Sequence, residues 1–313
     1  MLAVVQQTIS VTAPVFSMLF LGVALKRLGL IDAAFINTAS ALVFRGTLPT
    51  LLFLGIVQAD LRTALQPALL VYFVLATLGC FLLAWGWAIL RCPEADRGIY
   101  TQGAFRGNNG IIGLALATNM YGDYGLSVGA VLGGVVILSY NTLSAIVLAI
   151  YSPEAKTDVW SLTKNILSNP LIIGVLAAIP FAAWQISLPD WLLTSGEYFA
   201  QMSLPLALIC IGGTLTLESL RESSGMAISS SLMKVLWLPL VATLGAWLWG
   251  FRDADLAILF LYFASPTAAA SFVMAKAVGG NHQLAAAIIV LTTLATVVTT
   301  NLGLFVLQWA GWI

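Results

Sequence analysis

Apolar runs of bilayer-spanning length follow one another along the whole chain, separated by short polar breaks. A span needs about 20 apolar residues to cross about 30 Å of hydrocarbon, and the pattern predicts ten of them. The first, Met1 to Leu25, has no lysine or arginine ahead of it and is followed at once by Lys26 and Arg27. A secretory leader carries its positive charge first, so this run reads as a retained span. The next four fall at about Ala33 to Val57, Pro67 to Leu90, Gly98 to Asn119 and Leu126 to Tyr151. Ser152 to Lys164 is the one extended hydrophilic connection. Beyond it come spans at about Asn165 to Trp184, Trp191 to Leu217, Gly225 to Gly250, Asp255 to Val278 and Leu284 to Gln308.

Two of these runs are interrupted. The fourth contains Phe105-Arg106-Gly107-Asn108-Asn109-Gly110, and an arginine, two carboxamides and two glycines at that depth are costly in hydrocarbon. The stretch is therefore expected to face protein or a watery cavity. The ninth contains Ala264-Ser265-Pro266-Thr267, where the proline removes a helical hydrogen bond and clashes with the preceding turn. The two halves also look like copies. Pro14 and Pro49 are spaced as Pro170 and Pro205 are, while Asp96 matches Asp255 and Gly107 matches Pro266 at one common offset. Residues 1–151 and 165–313 are thus expected to be two five-span repeats joined by a linker, 152–164. An odd number of spans per repeat forces opposite orientations, and inverted repeats with a broken helix in each are the sequence pointer to a carrier with a midplane site.

Composition and charge narrow this further. With 60% hydrophobic and 8% charged residues in 313, and a mean hydropathy of +0.98, the chain is an all-α polytopic membrane protein with no soluble domain. Zero net charge removes any argument for nucleic acid as a partner. Cys80, Cys92 and Cys210 form no CxxC pair and have only His282 to join them, so they read as packing residues and neither a metal nor another cofactor is expected. Lys26, Arg27, Arg91, Arg97, Lys156, Lys164 and Arg221 fall in loops on one side, and only Arg62 and Arg252 on the other. The positive-inside rule puts the 152–164 linker in the cytoplasm and both termini outside, in a plasma (bacterial inner) membrane. Tryptophans near span ends, such as Trp87, Trp184, Trp191, Trp249 and Trp309, read as interface anchors.

Arg45, Arg106 and Lys276 remain inside or near spans, with Lys234 placed near the start of span eight, and no acid sits comparably deep. Such an excess of positive charge suggests an anionic substrate. Half-helices beginning near Gly110 and Thr267 would aim free N–H groups and a positive dipole end at the breaks. Asn108, Asn109, Thr267 and Ser271 offer neutral hydrogen bonds to a carboxylate. Arg45 is either a substrate contact or a structural tie to helix carbonyls or Glu197. Lys276 lies ten residues past Pro266 and is expected to snorkel to the interface. Asp123 reads as a loop or cap carboxylate, and His282 as an exposed turn residue.

Gly107-Asn108 through Gly113 to Met120-Tyr121-Gly122-Asp123-Tyr124, and Pro266-Thr267 through Phe272-Val273-Met274-Ala275-Lys276, resemble the two crossover segments of the auxin efflux carrier family. That family includes plant auxin exporters and bacterial carriers for malonate and similar carboxylates. The resemblance covers essentially the whole chain and implies a fold similar to the bile acid:sodium symporters, with a scaffold and a mobile crossover domain. It implies that Asn108 contacts the substrate carboxylate. Family members often have proline at both crossovers, whereas this chain has Gly107 at the first.

The expected function is a secondary carrier of small organic anions, with Arg45, Arg106, Gly107, Asn108, Asn109, Pro266, Thr267 and Ser271 as candidate substrate-binding residues. A sodium- or proton-coupled symporter or exchanger of the same fold is the alternative, and a homodimer is compatible with the sequence. A non-transporting receptor would give no reason for two interrupted helices. An intramembrane enzyme would need paired acids or a buried base at depth, which are missing, so no enzyme is expected.

Overall fold

The computed structural model describes residues 2–58, 66–151, 168, 170–214 and 225–313, with the side chains of residues 2–12, 273, 276 and 277 left outside that description. The predicted 152–164 linker, Arg62 and Arg221 lie outside the described residues, and so does the side chain of Lys276. Among the described residues the fold is all helix, with no strand. We number the helices α1 (Leu2–Arg27), α2 (Ala33–Val57), α3 (Pro67–Arg91), α4 (Glu94–Phe105), α5 (Asn109–Tyr151), α6 (Pro170–Ala183), α7 (Asp190–Gln201), α8 (Ser203–Thr214), α9 (Gly225–Trp249), α10 (Asp253–Ala264), α11 (Ala270–Ala277) and α12 (His282–Trp309). By length and composition α2, α3, α5, α9 and α12 can each cross a membrane.

Prolines shape these helices in a repeated way. Pro49 and Pro239 each follow a π-helical turn, Val43–Thr47 in α2 and Met233–Trp237 in α9. A proline lacks the N–H its helix needs and crowds the carbonyl four residues back, here that of Arg45 or Val235. One turn widens to absorb this, and Leu48 N–H reaches Val43 O as Leu238 N–H reaches Met233 O. Pro205 has a stronger effect: its crowded carbonyl is that of Gln201, where α7 stops before α8 begins at Ser203. The seventh apolar run, expected to be one span, is therefore two helices.

α1 packs against α8, and α2 against α6. The α1–α8 contact is backbone on backbone: a Cβ on Gly22 would meet Ile209 O at 2.1 Å, and one on Gly212 would meet Leu19 O at 1.9 Å. Glycine is required there because any side chain would separate the two helices. α3, α4, α5, α9, α10 and α12 pack around Phe73, Phe81, Tyr100, Phe105, Tyr140, Tyr262 and Phe263, and the same core takes in Phe16 and Leu19 of α1 and Leu208 of α8. The outward faces are apolar, as at Val71, Leu75, Leu82 and Leu83 on α3, where a water-soluble protein would be polar. Trp184, Trp191, Trp249 and Trp309 are exposed at helix ends, as interface anchors are. The three cysteines are free and buried.

The two half-helices α4 and α10 begin alike. Asp96 in the first turn of α4 accepts from Asn281 Nδ2 at 3.0 Å, and Asp255 in the first turn of α10 accepts from Gln66 Nε2 and from the Tyr124 hydroxyl. An acid at a helix N-terminus complements the dipole. Each acid also reaches the turn that closes the opposite interrupted segment: Asn281 follows α11, and Tyr124 follows Gly122, where α5 kinks with φ +55°.

Candidate functional site

Each predicted interruption is a real break. α4 ends at Phe105 and α10 at Ala264, and the chain continues in extended form before α5 and α11 begin. The two extended pieces meet in an antiparallel bridge, Gly107 opposite Thr267. Asn108 N donates to Pro266 O at 2.7 Å, and Ala268 N donates to Arg106 O at 3.0 Å. Each break thus supplies the backbone partners the other lost, which is what makes non-helical backbone tolerable inside a membrane protein.

The last carbonyls of both half-helices also need donors. Gly103 O of α4 accepts from Thr267 Oγ1 at 2.6 Å, and Phe263 O of α10 accepts from Lys234 Nζ at 3.0 Å. Lys234 sits in the π-helical turn of α9 and is 1% exposed. It lies at the C-terminal end of a half-helix, where the dipole favours a cation, and close beside Gly107, whose added Cβ would come 3.0 Å from Nζ. The sequence pattern sets it near the start of the eighth span, whereas it is the tenth residue of α9, about 15 Å along the axis and so nearer the middle of that helix.

Arg106 is buried at 8% exposure. Its Nη1 donates to Met274 Sδ at 2.9 Å and its Nη2 to Asn141 Oδ1 at 2.8 Å, both neutral acceptors, while Nε has no partner. Gln102, one turn earlier on α4, is wholly buried; its Nε2 also donates to Met274 Sδ, at 3.4 Å, and its Oε1 is unpartnered. Asn109 is fully buried, with Nδ2 donating to the Tyr140 hydroxyl at 3.2 Å and Oδ1 unpartnered. The Gly107 N–H also donates to Tyr140. A Cβ on Gly107 would sit 2.2 Å from Asn109 Oδ1. Glycine at this crossover is thus tied to its surroundings twice: a proline would lose the bond to Tyr140, and any Cβ would displace Asn109.

The remaining candidates are placed as follows. Asn108 is half-buried and Gly110 partly exposed, so the first break is open on that side. Pro266 and Thr267 are buried with their polar atoms used, the Thr267 N–H donating to Thr292 Oγ1 at 3.1 Å. Ser271 is buried and its hydroxyl has no partner. Arg45 is exposed on the π-helical turn of α2, and Glu197 is held by Gln58 Nε2 at 2.8 Å. Asp123 and His282 are exposed. Gln102, Tyr140, Asn141 and Met274 are site residues that the sequence did not nominate, and Lys234 was noted only as a cation near a span start. A lone polar residue in an apolar run was the signal for each except Met274, which carried none.

The profile of the family described as "membrane transport protein" matches residues 8–161 and 159–303, nearly the whole chain. This chain belongs to that family, the auxin efflux carriers. A relative from Methanothermobacter thermautotrophicus, named only as an uncharacterized transporter, is 24% identical over 298 residues, covering 94% of this chain and 96% of the relative. A multi-pass membrane transporter is what the family and the apolar helices together support. The two breaks fall within the two matched stretches, so the crossing lies in the part of the chain that the family shares.

Proposed function

We propose that the chain is a secondary carrier of small organic anions, carboxylates first among them, working by alternating access. The observation that carries this reading is Arg106: a buried guanidinium at the meeting of two broken helices, whose hydrogen-bond partners among the described residues are neutral and whose Nε has none there. A buried cation without a counter-charge is costly. An incoming anion relieves that cost, and the same interaction makes the site selective for negative charge. Lys234 adds a second fixed positive charge nearby, and the half-buried Asn108 and the unpartnered Ser271 hydroxyl offer neutral hydrogen bonds. Gly107, Asn109, Pro266 and Thr267 hold the crossing together.

In this reading the chain has ten spans in two inverted repeats, 1–151 and 165–313, with both termini outside the plasma membrane. Support comes from the pairing of α1 with α8 and α2 with α6, which an axis exchanging the repeats would produce. The matching acids at the starts of α4 and α10 point the same way. The α1, α2, α6 and α8 group would be the scaffold, and the group holding the crossing would move against it.

The test is thermal stabilisation of the purified protein against mono- and dicarboxylates, with and without sodium, at two pH values. A ligand at 100 times its dissociation constant should stabilise by about 2.7 kcal/mol. A shift with a carboxylate that disappears in Arg106→Ala supports the reading. No shift with any anion, together with no anion flux in vesicles, overturns it. Dependence of the shift on sodium or on pH would identify a coupling ion.

A further inference from the structure

The acceptor that Arg106 and Gln102 share is the weakest one available. Arg106 Nη1 and Gln102 Nε2 converge on one atom, Met274 Sδ, at 2.9 Å and 3.4 Å. A thioether sulfur is a weak acceptor, whereas a guanidinium forms its strong, charge-assisted bonds with carboxylate oxygens. Two donors on buried side chains aimed at a single point define a position for an oxygen that accepts two hydrogen bonds. The polar atoms left over beside it, Arg106 Nε and Gln102 Oε1, have no partner among the described residues.

Met274 differs from its partners in being able to leave. Gln102 and Arg106 are closed off, while Met274 is partly exposed and comes from α11, which begins only at Ala270 beyond the second break. Its side chain is unbranched and flexible, so it can swing without moving the backbone. We propose that Met274 Sδ is a place-holder, and that a small carboxylate binds with one oxygen between Arg106 Nη1 and Gln102 Nε2, displacing the thioether. This rests on the anion-carrier reading above and specifies where the anion sits: against the end of α4 and the first turns of α11, with Asn141 fixing the guanidinium from the other side. It also gives the empty site a lid. With no anion present the sulfur keeps the two donors occupied, and anion binding and Met274 release become one event.

The experiment uses the full-length protein labelled with 13C at the methionine methyl groups, of which the chain has seven, with the Met274 resonance assigned by its loss in Met274→Leu. The probe is malonate, with malonamide as the uncharged control, and affinities are measured by calorimetry. Malonate should move the Met274 methyl resonance and malonamide should not. Met274→Leu, which keeps volume but removes the competing acceptor, should bind malonate at least threefold more tightly. Gln102→Leu should bind at least tenfold more weakly, and Met274→Glu, which supplies its own carboxylate, should not bind detectably while unfolding at or above the wild-type temperature. If malonate binds and binding is lost in Arg106→Ala, yet the Met274 methyl stays put and Met274→Leu leaves affinity unchanged, the place-holder is wrong and the carrier reading stands. If malonate does not bind, acetate and succinate are titrated in the same way, and binding by none of the three overturns both.

Discussion

At the first interruption the side chains are short of partners, whereas at the second they are used up. Around Arg106 to Asn109, among the described residues, Arg106 Nε and Asn109 Oδ1 are without partners and the acceptors of Arg106 are neutral. Around Ser265 to Thr267, by contrast, Ser265 Oγ is bound to Leu261 O, Thr267 Oγ1 to Gly103 O, the Thr267 N–H to Thr292 and the Pro266 carbonyl to Asn108 N. The backbones of the two breaks serve each other symmetrically. The lesson is that a matched pair of broken helices can divide the work, one side keeping polar atoms in reserve and the other holding the crossing together.

This contrast can be broken from the ligand side first. Arg106→Ala is expected to reduce carboxylate flux in membrane vesicles by about 100-fold or more, since charged hydrogen bonds contribute about 1.5–3 kcal/mol each and every 1.4 kcal/mol is about tenfold. Arg106→Lys should recover only part of that, because an ammonium cannot keep both Asn141 and an anion in a planar fork. Flux at the wild-type level in Arg106→Ala would remove the distinction between the two breaks.

The second break is tested by stability. Thr267→Val keeps the shape but leaves Gly103 O and the end of α4 bare, which should cost about 1–3 kcal/mol and appear as an earlier thermal transition. Affinity for a bound carboxylate should change less than threefold. The reverse result, weaker binding at unchanged stability, would move the ligand to the second break.

Gly107→Pro sharpens the comparison by giving the first crossover the residue that the second one has. The bond to Tyr140 is lost and Asn109 is displaced, so a destabilisation of about 1–3 kcal/mol is expected in the same thermal measurement. A neutral result would mean that the choice of glycine has no structural reason. The smallest effect belongs to Ser271→Ala. Its hydroxyl has no partner to lose, so stability should stay within about 0.5 kcal/mol, while flux should fall severalfold where the hydroxyl meets substrate.

Much of this was legible before any coordinates. Arg106 and Asn108 announce themselves because polar residues inside an apolar run are expensive, and Pro266 because a ring in mid-span cannot be ignored. The same logic does not reveal Gln102 or Asn141, since one neutral amide is cheap enough to sit anywhere. Met274 looks like any core residue until a guanidinium is found on its sulfur. Lys234 was visible as a cation, but nothing in its spacing shows that its ammonium caps the end of α10. Pro205 was counted as a match to Pro49, yet one splits its helix and the other only widens a turn. That choice depends on what packs around each proline, which spacing does not encode.

The widened turns bear on how sequences of this family should be compared. A gap inside a membrane span is ordinarily treated as an error, because deleting one residue rotates everything beyond it onto the wrong face. The turns at 43–47 and 233–237 are exceptions. A π-helical turn holds one residue more than the α-helical turn it replaces, so a relative lacking the proline can drop that residue and keep both flanks facing as they do here. At these two places a single-residue gap leaves the facing of the flanks intact, and the register of Arg45 and Lys234 has to be read across it.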